Sequence, residues 1–406
     1  MDWQRLRLDE LGTVARGKSR HRPRNDPALY DGKWPFFQTG DVKAAELHLR
    51  AFSQTYNDAG LAQSKLWPLG TLCITIAANI AETAILAIPG CFPDSIVGFR
   101  ANPARADVRY IKYLIDTLKL GMQNASRGTT QDNLSLDKLL SFQMSIPPVS
   151  DQHRIASILS NYDDLIENNT RRIAILEEMA RRIYEEWFVR FRFPGRENVR
   201  MVESELGPAP EGWRVQGLYD IAELTYGFPF KSKLFRSVVD GSGVIRIRDI
   251  NGNRTNTYTT ESADQKYRVR NGDILVGMDG EFHMGCWAGG EAWLNQRVVR
   301  FRPREGIPQS WLFLTAHGPI KVLESTIVGT TVAHLSAKDL KEMRIVVPDP
   351  KVLERAGEAL EPLFDLALTL KLANTNLRTT RDLLLPKLVS GELDVSALPE
   401  SEAVAA

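Results

Sequence analysis

SRGTTQDNLSLDKLLSFQMSIPP, Ser126 to Pro148, has a second version in VGTTVAHLSAKDLKEMRIVVP, Val328 to Pro348. Residue n matches residue n + 201 without a gap: Gly128-Thr129-Thr130 on Gly329-Thr330-Thr331, Leu134-Ser135 on Leu335-Ser336, Leu139 on Leu340, Ile146-Pro147 on Val347-Pro348. Self-similarity at one offset marks a repeated structural unit, so the chain reads as two tandem copies of one plan. Upstream the offset drifts by a few residues, as loop insertions cause. Asp41 and Asp249 sit in the similar phrases FFQTGDV and VIRIRDI, Gly70 pairs with Gly272, Phe99-Arg100 with Phe301-Arg302, and Trp3 with Trp213.

Each copy begins with a globular part, residues 1–148 and 201–349, in which short β-rich runs alternate with turns such as Gly40-Asp41, Asn271-Gly272-Asp273 and Asp279-Gly280. With a helical patch at Val108 to Leu120 and no regular βαβ alternation, this is an α+β pattern. The apolar run Thr71 to Ile88 carries Asn79 and Glu82 at its centre and stops at Pro89-Gly90. Such a run reads as two buried strands joined by a turn near Ala78 to Glu82, not as a membrane helix.

A long helix follows each globular part, starting after Pro147-Pro148 and Pro348-Asp349-Pro350, with Asp151 the expected N-cap of the first. Ile155, Leu159, Tyr162, Ile166, Asn169, Ile173, Leu176, Ala180, Ile183 and Trp187 are spaced alternately by four and three, a heptad seam. Adding 201 gives Ala356, Leu360, Leu363, Ala367, Leu370, Asn374, Leu377, Arg381, Leu384 and Leu388. A helix of this length runs on the order of 60 Å at 1.5 Å per residue and needs a partner. The expectation is an antiparallel coiled coil of the two helices with pseudo-twofold symmetry. Asn169 and Asn374 are either register-fixing seam positions or solvent-facing residues; Pro362 is expected to kink the second helix and Pro386 to end it. The plan is thus a globular part (1–148), helix and linker (149–200), globular part (201–349), helix and tail (350–394) and an unstructured C-terminus (395–406).

Chemistry is sparse. The 51 Lys+Arg against 50 Asp+Glu give a net charge of +1, which excludes coating nucleic acid by bulk charge and leaves room for local patches. Cys73, Cys91 and Cys286 form neither a disulfide framework nor a zinc set, and His283 with Cys286 lacks further ligands, so no metal is expected. The start, Met1 to Arg5, has no apolar signal core; a reducing, cytoplasmic setting is the expected location. Gly12-Thr13-Val14-Ala15-Arg16-Gly17-Lys18-Ser19 spells a phosphate-loop pattern, yet RHRPRNDP follows where a helix should open. The same segment reads better as a basic loop: Arg16, Lys18, Arg20, Arg22 and Arg24 can neutralise phosphates and set an Arg fork on a guanine edge. A solvated loop is the plainer alternative. The second copy offers Lys231, Lys233 and Arg236 after Tyr226-Gly227-Phe228-Pro229-Phe230, with Arg246 and Arg248 in the phrase aligned to Phe37–Asp41. Gln38, Thr39 and Arg127 complete the candidate DNA-contacting set. No catalytic motif is present in a fitting context, so the chain is expected to be non-catalytic.

The unit-ending phrases, the helix opening DQHRIASILSNYDDLI (Asp151 to Ile166) and the tail LLLPKLVSGELD (Leu383 to Asp394) resemble the specificity subunit of type I restriction-modification systems over nearly the whole chain. The resemblance implies that the globular parts are target recognition domains, each reading one half of a bipartite double-stranded DNA sequence. It further implies that the helices are spacers docking two modification (methyltransferase) subunits, with restriction (translocase/nuclease) subunits as further partners. S-adenosylmethionine would then belong to the methyltransferase, and ATP and Mg to the restriction subunit, with no cofactor on this chain. Two other readings stay open at this stage: a coiled-coil adaptor with weak nonspecific DNA affinity, and an ATPase using Gly12 to Ser19.

Overall fold

The computed structural model describes residues 3–126, 134–326 and 333–398. It divides into two compact units, residues 1–168 with 376–406, and residues 169–375. The division falls inside the long helices, Val149–Tyr184 and Pro350–Ser390, each of which contributes a segment to both units.

In the first unit a five-stranded sheet runs in the order Gly12–Arg16, Ile96–Ala101, Leu72–Thr75, Thr83–Leu86, His48–Leu49. The strands at Leu72–Thr75 and Thr83–Leu86 are the two expected from the apolar run. Ala78 and Ala81 take positive φ between them, which closes the turn. Among the described residues no helix is long and apolar enough to cross a membrane. Helix Val108–Ser126 lays Tyr110, Ile111 and Ile115 into the same core as Leu72, Ile74 and Phe99. A ribbon of Gln4–Leu6 with Met144–Ile146 joins the two ends of the globular part.

The second unit repeats this at residue level. Its sheet is Ala222–Tyr226, Val298–Pro303, Ile274–Gly277, Met284–Cys286, its helix Gln309–Thr326, and its ribbon Arg214–Gly217 with Arg344–Val347. The register agrees: Phe99 faces Val14 and Leu72, as Phe301 faces Leu224 and Ile274. The duplicated phrases do the same job in both copies. Ser135 and Ser336 cap short helices by accepting from the amides of Lys138 (3.1 Å) and Asp339 (3.2 Å), the side-chain chemistry that orphan N–H groups require. The unit also has a second sheet, Tyr258–Thr259, Ser242–Ile245, Ala292–Leu294, Arg268–Val269.

The helix segments run antiparallel in each unit. In the first, Ile155 and Leu159 share a core with Leu388, and in the second Ile173 packs with Ala367 and Leu370. No predicted seam position is exposed, whereas Leu165, Ile175 and Met179 beside the seam are. Burying a Leu or Ile fully contributes about 1.5–3 kcal/mol, so the seam outweighs helix propensity here. Asn169 and Asn374 face each other through an amide–amide hydrogen bond of 3.0 Å, which settles them as seam residues.

Three expectations are corrected. The first helix begins at Val149, so Asp151 lies in its first turn rather than at its cap, and it binds Arg154 there (2.8 Å). The second helix passes through Pro386 to Ser390, because Leu384, Leu385, Leu388 and Val389 are held in or against the first unit's core. It ends where Gly391 takes φ +79°, the left-handed cap glycine favours. Finally, Val395 is buried in that core and Leu398 O accepts from Arg154 Nε at 2.7 Å, so ordered chain extends past 394.

Candidate nucleic-acid interface

The first basic segment grows out of a sheet edge. Strand Gly12–Arg16 pairs with Ile96–Ala101, then the Gly17 amide binds Ile96 O (2.9 Å) and the Lys18 amide binds Phe92 O (3.0 Å). The amides that a phosphate loop would aim at a nucleotide are thus spent on the fold. Gly17 is required because a Cβ there would stand 2.3 Å from Phe92 O and Pro93 O. With Gly17 and Ser19 buried, alternation turns Arg16, Lys18 and Arg20 to solvent. Among the described residues these three have no side-chain ion pair or hydrogen bond. Arg22 and Arg24 are exposed but engaged: Arg22 donates to Ser19 O (2.6 Å) and His21 O (2.8 Å), and Arg24 to Asp94 (2.6 Å). Gln38 is exposed and donates to Gln54 (2.5 Å), Thr39 is half-buried, and Arg127 lies outside the described residues.

In the second unit Gly227 occupies the place of Gly17, its Cβ position only 1.9 Å from Asn295 O, and the Phe228 amide binds Leu294 O at 2.9 Å. Lys18 and Arg20 are therefore replaced by Phe228 and Phe230, and the cations come later. Lys231, Lys233 and Arg236 are all exposed, with Arg236 donating to Lys233 O (3.2 Å) and Phe235 O (3.1 Å). Arg246 and Arg248 are exposed too, on a turn that Asp249 caps through the Arg246 amide (2.9 Å). Gln38 and Asp41 make the same cap in the first unit (2.7 Å).

The structure adds cations that motif reading missed. Lys65 Nζ sits 3.6 Å above the buried Trp67 ring. Burial, then the nearby Lys18 and Arg100, hold its pKa below the ordinary lysine range, so the three form a cluster that an anion would relieve. In the second unit Arg268 stacks on Trp293 (3.7 Å) and Lys266 lies over Tyr267 (5.1 Å). Trp293 packs on Phe230, and Tyr267 on Phe228 (5.9 and 5.4 Å between ring centres), so these cations join the Lys231 segment. The signal in the sequence is a cation within two residues of an aromatic: Lys65 and Trp67, Lys266 and Tyr267.

Two other features of the described residues bear on chemistry. His48, Asp164 and Glu167 cluster in the first unit, but Glu167 already receives His48 (3.1 Å) and Arg50 (3.1 Å). A cavity of about 680 Å³ in the second unit is lined by Ile173, Leu176, Cys286, Phe313, Leu363 and Phe364 among others. Burial pushes the Cys286 thiol up to about 12, which keeps it protonated and a poor nucleophile.

A scaffold written twice, with exposed cations beside aromatic rings at matched sheet ends, defines the class: a duplicated α+β reader of nucleic acid carried on paired helices. Comparison narrows the class to a family. The profile described as the type I restriction modification DNA specificity domain matches residues 1–178 and again 210–376, and the chain belongs to that family. It is similar to the type I restriction enzyme MjaIX specificity subunit of Methanocaldococcus jannaschii, at 24% identity over 98% of this chain and 95% of the relative. It also resembles the EcoBI specificity subunit of Escherichia coli, 32% identical over 38% of this chain and 33% of that one. The crystal structure of the S subunit of a type I restriction-modification system from M. genitalium shares the fold, with a TM-score of 0.60 at 15% identity and 96% coverage of both chains. The chain is a DNA sequence-specificity subunit of a type I restriction-modification system.

Proposed function

We propose that each globular part reads one half of a bipartite DNA target, through Arg16, Lys18, Arg20 and Lys65 in the first unit and Lys231, Lys233, Arg246, Arg248 and Arg268 in the second. The supporting observation is the duplication itself: edge strands in the same register lead into exposed cations in both units, directly in the first and from four positions past Gly227 in the second. Two readers in one chain suit two half-sites on one duplex. The long helices set the spacer between half-sites and receive two modification subunits. The chain itself is non-catalytic and works in the cytoplasm; S-adenosylmethionine is held by the methyltransferase, and ATP with Mg by a restriction subunit where one joins. A near-neutral chain gains little nonspecific affinity, so tight binding needs the partner's contribution to phosphate contact.

Mapping methylated adenines in cells that express the chain with its methyltransferase tests this reading. One interrupted sequence is expected throughout the genome, and loss of one heptad from a long helix should change the interruption. Methylation in every adenine context would overturn the reading, and an unchanged target after heptad loss would favour a plain adaptor.

A further inference from the structure

Each basic segment is held at its main chain by one acceptor side chain of its own unit. In the first unit Gln63 Oε1 accepts the main-chain N–H groups of Arg20 (2.5 Å) and His21 (3.0 Å), and Ser64 Oγ donates to Lys18 O (2.7 Å). In the second unit the Glu261 carboxylate accepts the main-chain N–H of Lys231 at 2.9 Å. Counting from the matched glycines, four residues separate Gly17 from His21 and Gly227 from Lys231, so the held amide is the same one. The two acceptors arrive from different local structures. Gln63 follows the short helix Asp58–Ala62, whereas Glu261 follows strand Tyr258–Thr259 and is fixed by its own amide on Thr259 Oγ1 (3.1 Å). Both acceptors lie on the stretch leading to the matched Gly70 and Gly272, at different positions and on different local structure, and that both reach the corresponding amide points to a shared requirement. Two main-chain N–H donors require the Gln63 oxygen on their side, while its Nε2 is buried without a partner among the described residues.

We infer that Gln63 and Glu261 are positioning residues for DNA recognition, each fixing the backbone path of its basic segment against one half of the target. The inference rests on the DNA-contacting role of those segments proposed above. Neither residue supplies positive charge; each acts on main chain, so it governs where the cations stand, not how many there are. Phosphate contacts set a reader's register on the duplex, and a shift of register spoils base reading without removing charge.

The test uses the full chain co-purified with its modification subunits and labelled duplexes carrying the mapped target, or that target with one half scrambled, titrated at several salt concentrations. Gln63→Met should lower discrimination at one half by about tenfold or more, and Glu261→Met at the other half, each with the salt slope unchanged. Gln63→Glu and Glu261→Gln, which keep an acceptor, should restore discrimination. Should the Met variants fail to fold, Gln63→Asn and Glu261→Asp withdraw the acceptor by one methylene and carry the same prediction. Discrimination that is unchanged, that falls equally at both halves, or that is as poor in the acceptor-keeping variants overturns the inference. Lys18→Ala with Arg20→Ala, and Lys231→Ala with Lys233→Ala, separate the two levels. If these leave affinity and salt slope intact, the DNA-contacting role itself fails; if they weaken binding while the Gln63 and Glu261 variants do nothing, only the positioning role fails.

Discussion

The two units join helix to globular part by opposite means. In the first, Asp163, with a side chain 1% exposed, receives Arg381 from the second long helix and the Tyr113 hydroxyl from the globular part. Glu46 binds both Arg378 and Arg381. Moving each residue by 201 puts Leu314 where Tyr113 stands, Phe364 where Asp163 stands and Ala180 where Arg381 stands. Phe364 packs on Phe313 at 5.6 Å between ring centres, and the 680 Å³ cavity opens beside it. One backbone plan therefore tolerates an ionic or an apolar junction, and the fold must be specified elsewhere: by strand register, serine caps and the helix seam.

The largest effect should come from breaking the ionic junction. Asp163→Ala removes the one fully buried carboxylate of the junction, leaving Arg381 to Glu46 and Asp382 and the Tyr113 hydroxyl without its acceptor, and should cost about 3 kcal/mol, read as a loss of unfolding free energy in urea. The second unit's residues can be transplanted into the first. Tyr113→Leu with Asp163→Phe and Arg381→Ala should recover most of that loss, because well-packed apolar groups can replace a buried ion pair at little cost. A triple variant as unstable as Asp163→Ala would show that the ionic junction is indispensable. Next in size is the seam pair: Asn374→Leu strands the Asn169 amide and should cost about 1–3 kcal/mol, while replacing both asparagines with leucine should be near neutral. The smallest expected effect lies on the exposed cations. Arg20→Ala should leave the urea midpoint unmoved and lower the salt slope of DNA binding by about 1 if it meets one phosphate.

Much of the architecture was legible in the residues because it repeats with local rules. Gapless matching from Gly128 to Pro148 revealed the duplication, and spacing by four and three marked every seam position that the structure keeps from solvent. What stayed hidden depends on residues distant in sequence. Asp163 and Arg381 are 218 positions apart, Gln63 is 43 from Arg20, and no periodicity links them. Pro386 misled for a related reason, since burial of Leu388 and Val389 outweighs the local cost of a proline inside a helix. Arg22 and Arg24 look like free cations in the sequence, yet nearby carbonyls and Asp94 occupy them. Charge can be counted in a sequence, but availability cannot.

If each unit reads its own half of the target, exchanging one reader should change that half alone. Residues 1–148 would be replaced by the corresponding part of another specificity subunit, the hybrid expressed with the methyltransferase, and methylated adenines mapped across the genome. A new sequence is expected in one half of the target, with the other half and the spacer as before. A hybrid that changes both halves, or that keeps the original target intact, would contradict separate reading of the two halves.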